Sequence, residues 1–200
     1  MPINNEQIIR EHFDNTLVTM QSTRDALTTA IVAAGHYITA TFDNGKKLLI
    51  CGNGGSASDA LHFSGELVCR FERERRALPA IALPADTATL TATGNDYHFN
   101  EVFARQVEAL GQAGDLLIAI TTSGNSKNIL RAVAAAKTKA VGVIALTGRD
   151  GGKLAGELKH DHIELRVPSE STARIQEAHA IIIHCICNLI DLHATGEMRL

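Results

Sequence analysis

Five short runs, Lys47–Cys51, Ala80–Leu83, Leu116–Ile120, Val141–Leu146 and Ile163–Val167, recur along the chain with helical stretches between them. The first four are apolar throughout and do not alternate with polar residues. A strand of that kind is buried on both faces, the state of strands in a parallel sheet with helices packed above and below. The spacing predicts an α/β fold: a three-layer αβα sandwich around a five-stranded parallel sheet. Two hundred residues fit one such unit.

Two amphipathic helices are expected ahead of the sheet. Ile8, Ile9, Phe13, Leu17 and Met20 form one stripe; Leu27, Ile31, Ala34 and Ile38 form another, in a segment that Thr23 is placed to cap. The chain then divides into residues 1–45, an oligomerisation segment, and residues 46–200, the sheet domain. Helices are also expected from Ser56 to about Phe71, around Thr87–Thr93 and Glu101–Leu110, from Ser126 to about Lys139, and from Ser171 to His193.

Composition narrows the function classes. A net charge of −3 and an aromatic content of 4% with no Trp give no footprint for nucleic acid. No apolar run approaches the ~20 residues that span a bilayer, and MPINNEQIIREHFDN is too polar for a signal peptide. Cys51, Cys69, Cys185 and Cys187 form no CxxC pair, so reduced buried thiols in the cytoplasm are expected.

Ligands of such sheets bind outside the carboxyl ends of the strands. Two polar loops fall there. Thr121-Thr122-Ser123-Gly124-Asn125-Ser126 offers four hydroxyls and a flexible glycine at a helix start, which suits a phosphate monoester. No GxxxxGK[ST] is present, which argues against nucleotide hydrolysis. Cys51-Gly52-Asn53-Gly54-Gly55-Ser56-Ala57 can be written as G-x-G-x-x-A, but the acidic residue that should close the second strand is missing, so no dinucleotide is expected.

The helix after that loop carries His62, Glu66 and Arg70 at four-residue steps, hence on one face. Gly65 interrupts the same helix, a place where backbone approaches closely or a cost of about 1 kcal/mol is accepted. The last helix carries Arg174, Gln176, Glu177, His179 and His184 among isoleucines. Gln176 and His184 lie slightly over two turns apart. Either set reads as polar pairs or core histidines taken singly, and as a metal or proton-transfer site taken together.

CGNGGSASDALHFSGEL at 51–67, GNDYHFNEVF at 94–103, TTSGNS at 121–126, ALTGRDGG at 145–152 and RIQEAHAIIIH at 174–184 together resemble the SIS (sugar isomerase) domain of the phosphoheptose isomerase family. The resemblance implies isomerisation of sedoheptulose 7-phosphate to D-glycero-D-manno-heptose 7-phosphate, the first step toward ADP-heptose and lipopolysaccharide core. It implies substrate binding by Asn53, Gly54, Gly55, Ser56, Glu66, Arg70, Asn95, Asp96 and Gln176, with the phosphate on Thr121, Thr122, Ser123 and Ser126. It further implies a zinc ion on His62, Glu66, Gln176 and His184, proton transfer by Glu66 and His184, no nucleotide or redox cofactor, and a homotetramer. Ala173 stands where some members carry an Asp. Two other readings share the fold: a non-catalytic SIS protein that binds the replication initiator DnaA, and an isomerase of another sugar phosphate. Retention of His62, Glu66, Gln176 and His184 weighs against the first.

Overall fold

The computed structural model describes residues 4–158 and 162–197. Its elements are α1 (Asn5–Asp43), β1 (Leu48–Gly52), α2 (Gly55–Val68), β2 (Ala80–Ala82), α3 (Thr87–Asp96), α4 (Ala104–Leu110), β3 (Leu116–Ile120), α5 (Lys127–Thr138), β4 (Gly142–Gly148), α6 (Gly152–Glu157), β5 (Ile163–Val167) and α7 (Thr172–Ala194), with 3-10 turns at Leu83–Ala85 and Phe99–Glu101. All five strands are parallel, in the order β2-β1-β3-β4-β5. The expected three-layer sandwich is present.

The apolar runs serve two cores at once. Leu48, Ile50, Leu116, Ile118 and Ile144 point to one side and pack against α1, α2 and α7. Leu49, Cys51, Leu117, Ala119, Val143 and Ala145 point to the other and pack against α4, α5 and Leu154 of α6. Period-2 geometry splits an unbroken apolar run in this way.

The N-terminal segment departs from expectation. Residues 5–43 form one continuous helix of 39 residues, not two, about 58 Å long at 1.5 Å per residue. Asn4 caps it by accepting from the amides of Glu6 and Gln7. Thr23 caps nothing: it is buried inside the helix beside Ala178 and Ile182. Between Met20 and Leu27 there is neither Gly nor Pro, and a threonine alone does not stop a helix that packing favours. The second stripe seals the core, with Leu27, Ala34 and Ile38 buried. The first leaves Ile9, Phe13 and Leu17 58–68% exposed.

Smaller corrections concern helix ends. α2 begins at Gly55, with Ser56 inside it and not at its cap, and stops at Val68, not Phe71. The segment read as a helix over 101–110 is a 3-10 turn followed by the shorter α4. Gly65 faces open space, since a Cβ there meets nothing within 4 Å among the described residues. Cys51 and Cys187 are buried as expected, but Cys69 and Cys185 are exposed; Cys69 ends α2 and Cys185 lies on the outer side of α7. α7 has the length and mean hydropathy (1.3) of a membrane span. It is a core helix of this fold, buried against α1 and α2 and carrying the paired Asp191.

Candidate functional site

With the order β2-β1-β3-β4-β5, the chain leaves β1 toward one edge and β3 toward the other. That reversal opens a crevice between the carboxyl ends of β1 and β3, where such sheets take ligands. Both polar loops border it. They are tied together by a reciprocal amide pair: Asn53 Nδ2 donates to Asn128 Oδ1 at 2.9 Å, and Asn128 Nδ2 returns a bond to Asn53 Oδ1 at 2.8 Å.

The second loop is shaped for an anion. Thr121 is buried, with Oγ1 3.5 Å from Ser126 Oγ. Ser126 occupies the N-cap of α5 yet makes no side-chain cap bond among the described residues, so its hydroxyl is not spent on the helix. Ser123 Oγ accepts from the Asn125 amide, and Asn125 in turn receives the Lys153 amide. Gly124 is left-handed (φ +63°), and a Cβ on it would strike the Gly151 carbonyl at 1.8 Å. The ALTGRDGG segment is therefore the backing of this loop.

On the opposite side of β1, α2 meets α7 at two levels. At the first, Gly55 lies against the Gln176 amide, with space for no side chain: an added Cβ would sit 2.4 Å from Gln176 Nε2. Two turns on, His62 Nε2 is 3.1 Å from Glu66 Oε1 and 3.2 Å from His184 Nε2. The two imidazoles meet edge to face at 84°, and Phe71 stacks on His184 with centroids 5.4 Å apart. The structure thus brings together His62, Glu66 and His184, with Gln176 further along the same helix pair.

With a proton on His62 Nε2 it donates to Glu66 Oε1, and His184, as its Nδ1–H tautomer, turns an Nε2 lone pair toward the same proton. The donor atoms lie 3.1–3.2 Å apart, near the edge length of a small tetrahedral coordination shell. Among the described residues no group of three or more His, Cys, Asp or Glu side chains stands in an arrangement that could hold a metal ion, although imidazole, carboxylate and amide donors are of the types zinc takes.

Other expected residues stand apart. Asn95 bonds to Asp96 at 2.8 Å, both exposed at the end of α3, and no hydrogen bond joins them to the loops among the described residues. Arg70 contacts its own loop, through the carbonyls of Phe71 and Glu72 and the Glu74 carboxylate. His179 is a core histidine whose Nε2 bonds the Thr147 carbonyl at 2.9 Å.

Sequence reading missed Asp59, one turn before His62 on α2. Its Oδ2 is buried without a partner among the described residues, and burial pushes the carboxyl up to about 6 while His62 pulls the other way. Its i, i+3 spacing to His62 was the available signal. Asn128 was missed too, because a helix-facing Asn has no motif around it. The larger cavities, about 630 and 600 Å³, lie at the start of α1 and beside His193. Neither is lined by Glu66 or His184; the His62 and Glu66 side chains are 38% and 24% exposed.

The SIS domain family matches residues 11–148. Over 188 residues the chain is 54% identical to the phosphoheptose isomerase of Alkalilimnicola ehrlichii, covering 94% of this chain and 96% of that protein. It is 52% identical to that of Coxiella burnetii over 185 residues, 92% and 93% of the two chains. The solved phosphoheptose isomerase of Francisella tularensis superposes with a TM-score of 0.92 at 47% identity, and that of Neisseria gonorrhoeae with 0.90 at 46%; each comparison covers 94% of this chain and 99% of the other.

Proposed function

The chain belongs to the SIS family and, within it, to the phosphoheptose isomerases, and we propose on that footing that it converts sedoheptulose 7-phosphate to D-glycero-D-manno-heptose 7-phosphate. The observation that carries the reading is the convergence of Glu66 and His184 across α2 and α7 through His62. The hydroxyl loop Thr121–Ser126 follows β3 at the sheet's switch point.

Ketose–aldose exchange moves the C1 proton to C2 and the O1 proton to O2 through an enediol. Glu66 takes the carbon-bound proton from C1 and returns it to C2; its Oε2 has no hydrogen-bond partner among the described residues, which leaves a lone pair for the task. His184 carries the hydroxyl proton between O1 and O2. Thr121, Thr122, Ser123 and Ser126 hold the phosphate with the first-turn amides of α5, and Asn53, Gly54, Gly55, Ser56, Arg70, Asn95, Asp96 and Gln176 contact the sugar. His62, Glu66, Gln176 and His184 would hold the zinc ion. When bound it supplies positive charge against the developing oxyanion.

The same reading puts the enzyme in the cytoplasm, at the first step toward ADP-heptose and lipopolysaccharide, as a homotetramer. The exposed apolar side chains of α1 support assembly. Purified protein incubated with sedoheptulose 7-phosphate, with and without added zinc, tests the proposal by the appearance of the aldose phosphate. Unchanged ketose under both conditions overturns it.

A further inference from the structure

The eleven-residue connection from Cys69 to Pro79 has no regular structure, yet it is firmly anchored. Asp191, two turns beyond His184 on α7, is fully buried. Its Oδ2 accepts the amides of Glu72 (3.0 Å) and Arg73 (2.9 Å), and its Oδ1 accepts Arg75 Nε at 2.8 Å. The Arg75 side chain is itself only 2% exposed. Its other nitrogens donate to the carbonyls of Glu66 (2.7 Å), Leu67 (2.9 Å) and Arg76 (3.0 Å). The guanidinium therefore joins the backbone of the residue that carries the base to the helix that carries its partner. The anchored loop returns Phe71 onto the face of His184, with an interplanar angle of 28°. An arginine that merely capped α2 would need neither the buried carboxylate nor the two amides.

We propose that Phe71 and the Arg75–Asp191 pair are positioning residues for proton transfer: the pair sets the spacing of α2 and α7 at Glu66 and His184, and Phe71 fixes the plane of the His184 ring. This rests on the assignment of Glu66 and His184 given above. Phe71 touches the imidazole and not the reacting atoms, so its loss should act on turnover and leave substrate binding in place. Misplacing a catalytic group by about 1 Å costs up to about 100-fold.

The test uses the full chain, sedoheptulose 7-phosphate and four variants: Phe71→Leu, Phe71→Tyr, Asp191→Asn and the double Phe71→Leu/Asp191→Asn. Phe71→Leu should lower kcat about 10- to 100-fold with KM within about twofold, and Phe71→Tyr, which keeps the ring, should restore it. Asp191→Asn should lower kcat although Phe71 is intact, and the double variant should be no worse than the poorer single one, because both act through one contact. In proton NMR, the ring-current shift that Phe71 imposes on His184 should vanish in Asp191→Asn. If that variant does not fold, Arg75→Lys, which keeps the charge and loses the multiple donors, takes its place. Full turnover in Phe71→Leu, no rescue by Tyr, or additive losses in the double variant overturns the inference with the functional reading intact. Wild-type protein inactive on the substrate overturns that reading and the inference with it.

Discussion

At the scale of single residues, chemistry and packing separate cleanly between His179 and His184 of α7. His184 reaches across to His62, whereas His179 is sealed in the core with Nε2–H donating to the Thr147 carbonyl. Burial lowers the His179 pKa to about 4, against a smaller opposing effect of that hydrogen bond. The native histidine then stays neutral while the unfolded chain takes a proton near pH 6.5, so the unfolded state binds more protons in between. Stability should be full above about pH 6.5 and fall by roughly 3 kcal/mol as pH drops to 4. Denaturant unfolding from pH 8 to pH 4.5 measures the slope. His179→Gln keeps a donor near the Nε2 position and should flatten it; equal slopes in the two proteins would contradict the assignment. At the site itself, Glu66→Gln keeps size and a ligand oxygen but removes the base. Turnover should fall about 10²- to 10⁴-fold, and bound zinc measured on the same sample separates a lost base from a lost ligand. Near-normal turnover in this variant would remove Glu66 from the proposed mechanism.

At the scale of elements, what was legible in the sequence was whatever depends on local pattern. The apolar runs forced a parallel sheet, and the loops at their carboxyl ends marked the crevice. The His62–Glu66 step placed both side chains on one helix face. What was not legible depends on which helix packs where. The only local sign that α1 continues through Thr23 is the absence of Gly and Pro between Met20 and Leu27; burial of Thr23 against α7 completes the decision. Spacing does not place Gln176 against Gly55, a contact between residues far apart in the chain. Gly65 was read as either a close approach or an accepted cost, and it is open. Gly65→Ala should therefore stabilise the protein by about 0.5–1 kcal/mol, through lower entropy of the unfolded chain, read as a higher denaturant midpoint at unchanged slope. The phosphate loop gives a second element-level expectation. Ser126 spends no hydroxyl on its helix, so Ser123→Ala and Ser126→Ala should each weaken substrate binding by roughly 1.5–3 kcal/mol and barely alter stability. Equal turnover of the phosphorylated and dephosphorylated sugar would show that the loop does not hold phosphate.

At the scale of the whole molecule, the proposal of assembly rests on what a single chain leaves uncovered. The outer half of α1 exposes Ile9, Phe13 and Leu17 along one side, with Ile8 and Val18 exposed on other faces, and burying each such side chain is worth about 1.5–3 kcal/mol. That half is not free to drift. Arg174, buried at the start of α7, donates to the His12 carbonyl at 3.1 Å and pairs with Glu177, which accepts Thr16 Oγ1 at 3.0 Å. Burial alone would raise the Glu177 carboxyl, but the Arg174 guanidinium and the Thr16 hydroxyl hold it below the usual range. The clamp fixes α1 two residues from Gln176, so the face proposed to bind other copies is mechanically continuous with the turn that carries a proposed ligand. Replacing Phe13 and Leu17 together by Glu places two carboxylates where apolar contact is expected, and does so on residues 68% and 67% exposed in the single chain, outside its own core. Monomer stability should change little, while the mass by light scattering should drop from four times 21.4 kDa toward one. If the proposed assembly completes the site, turnover should fall in parallel with the loss of tetramer. A variant that stays tetrameric would move the interface away from α1, and a monomer with undiminished turnover would mean that each chain carries a complete site.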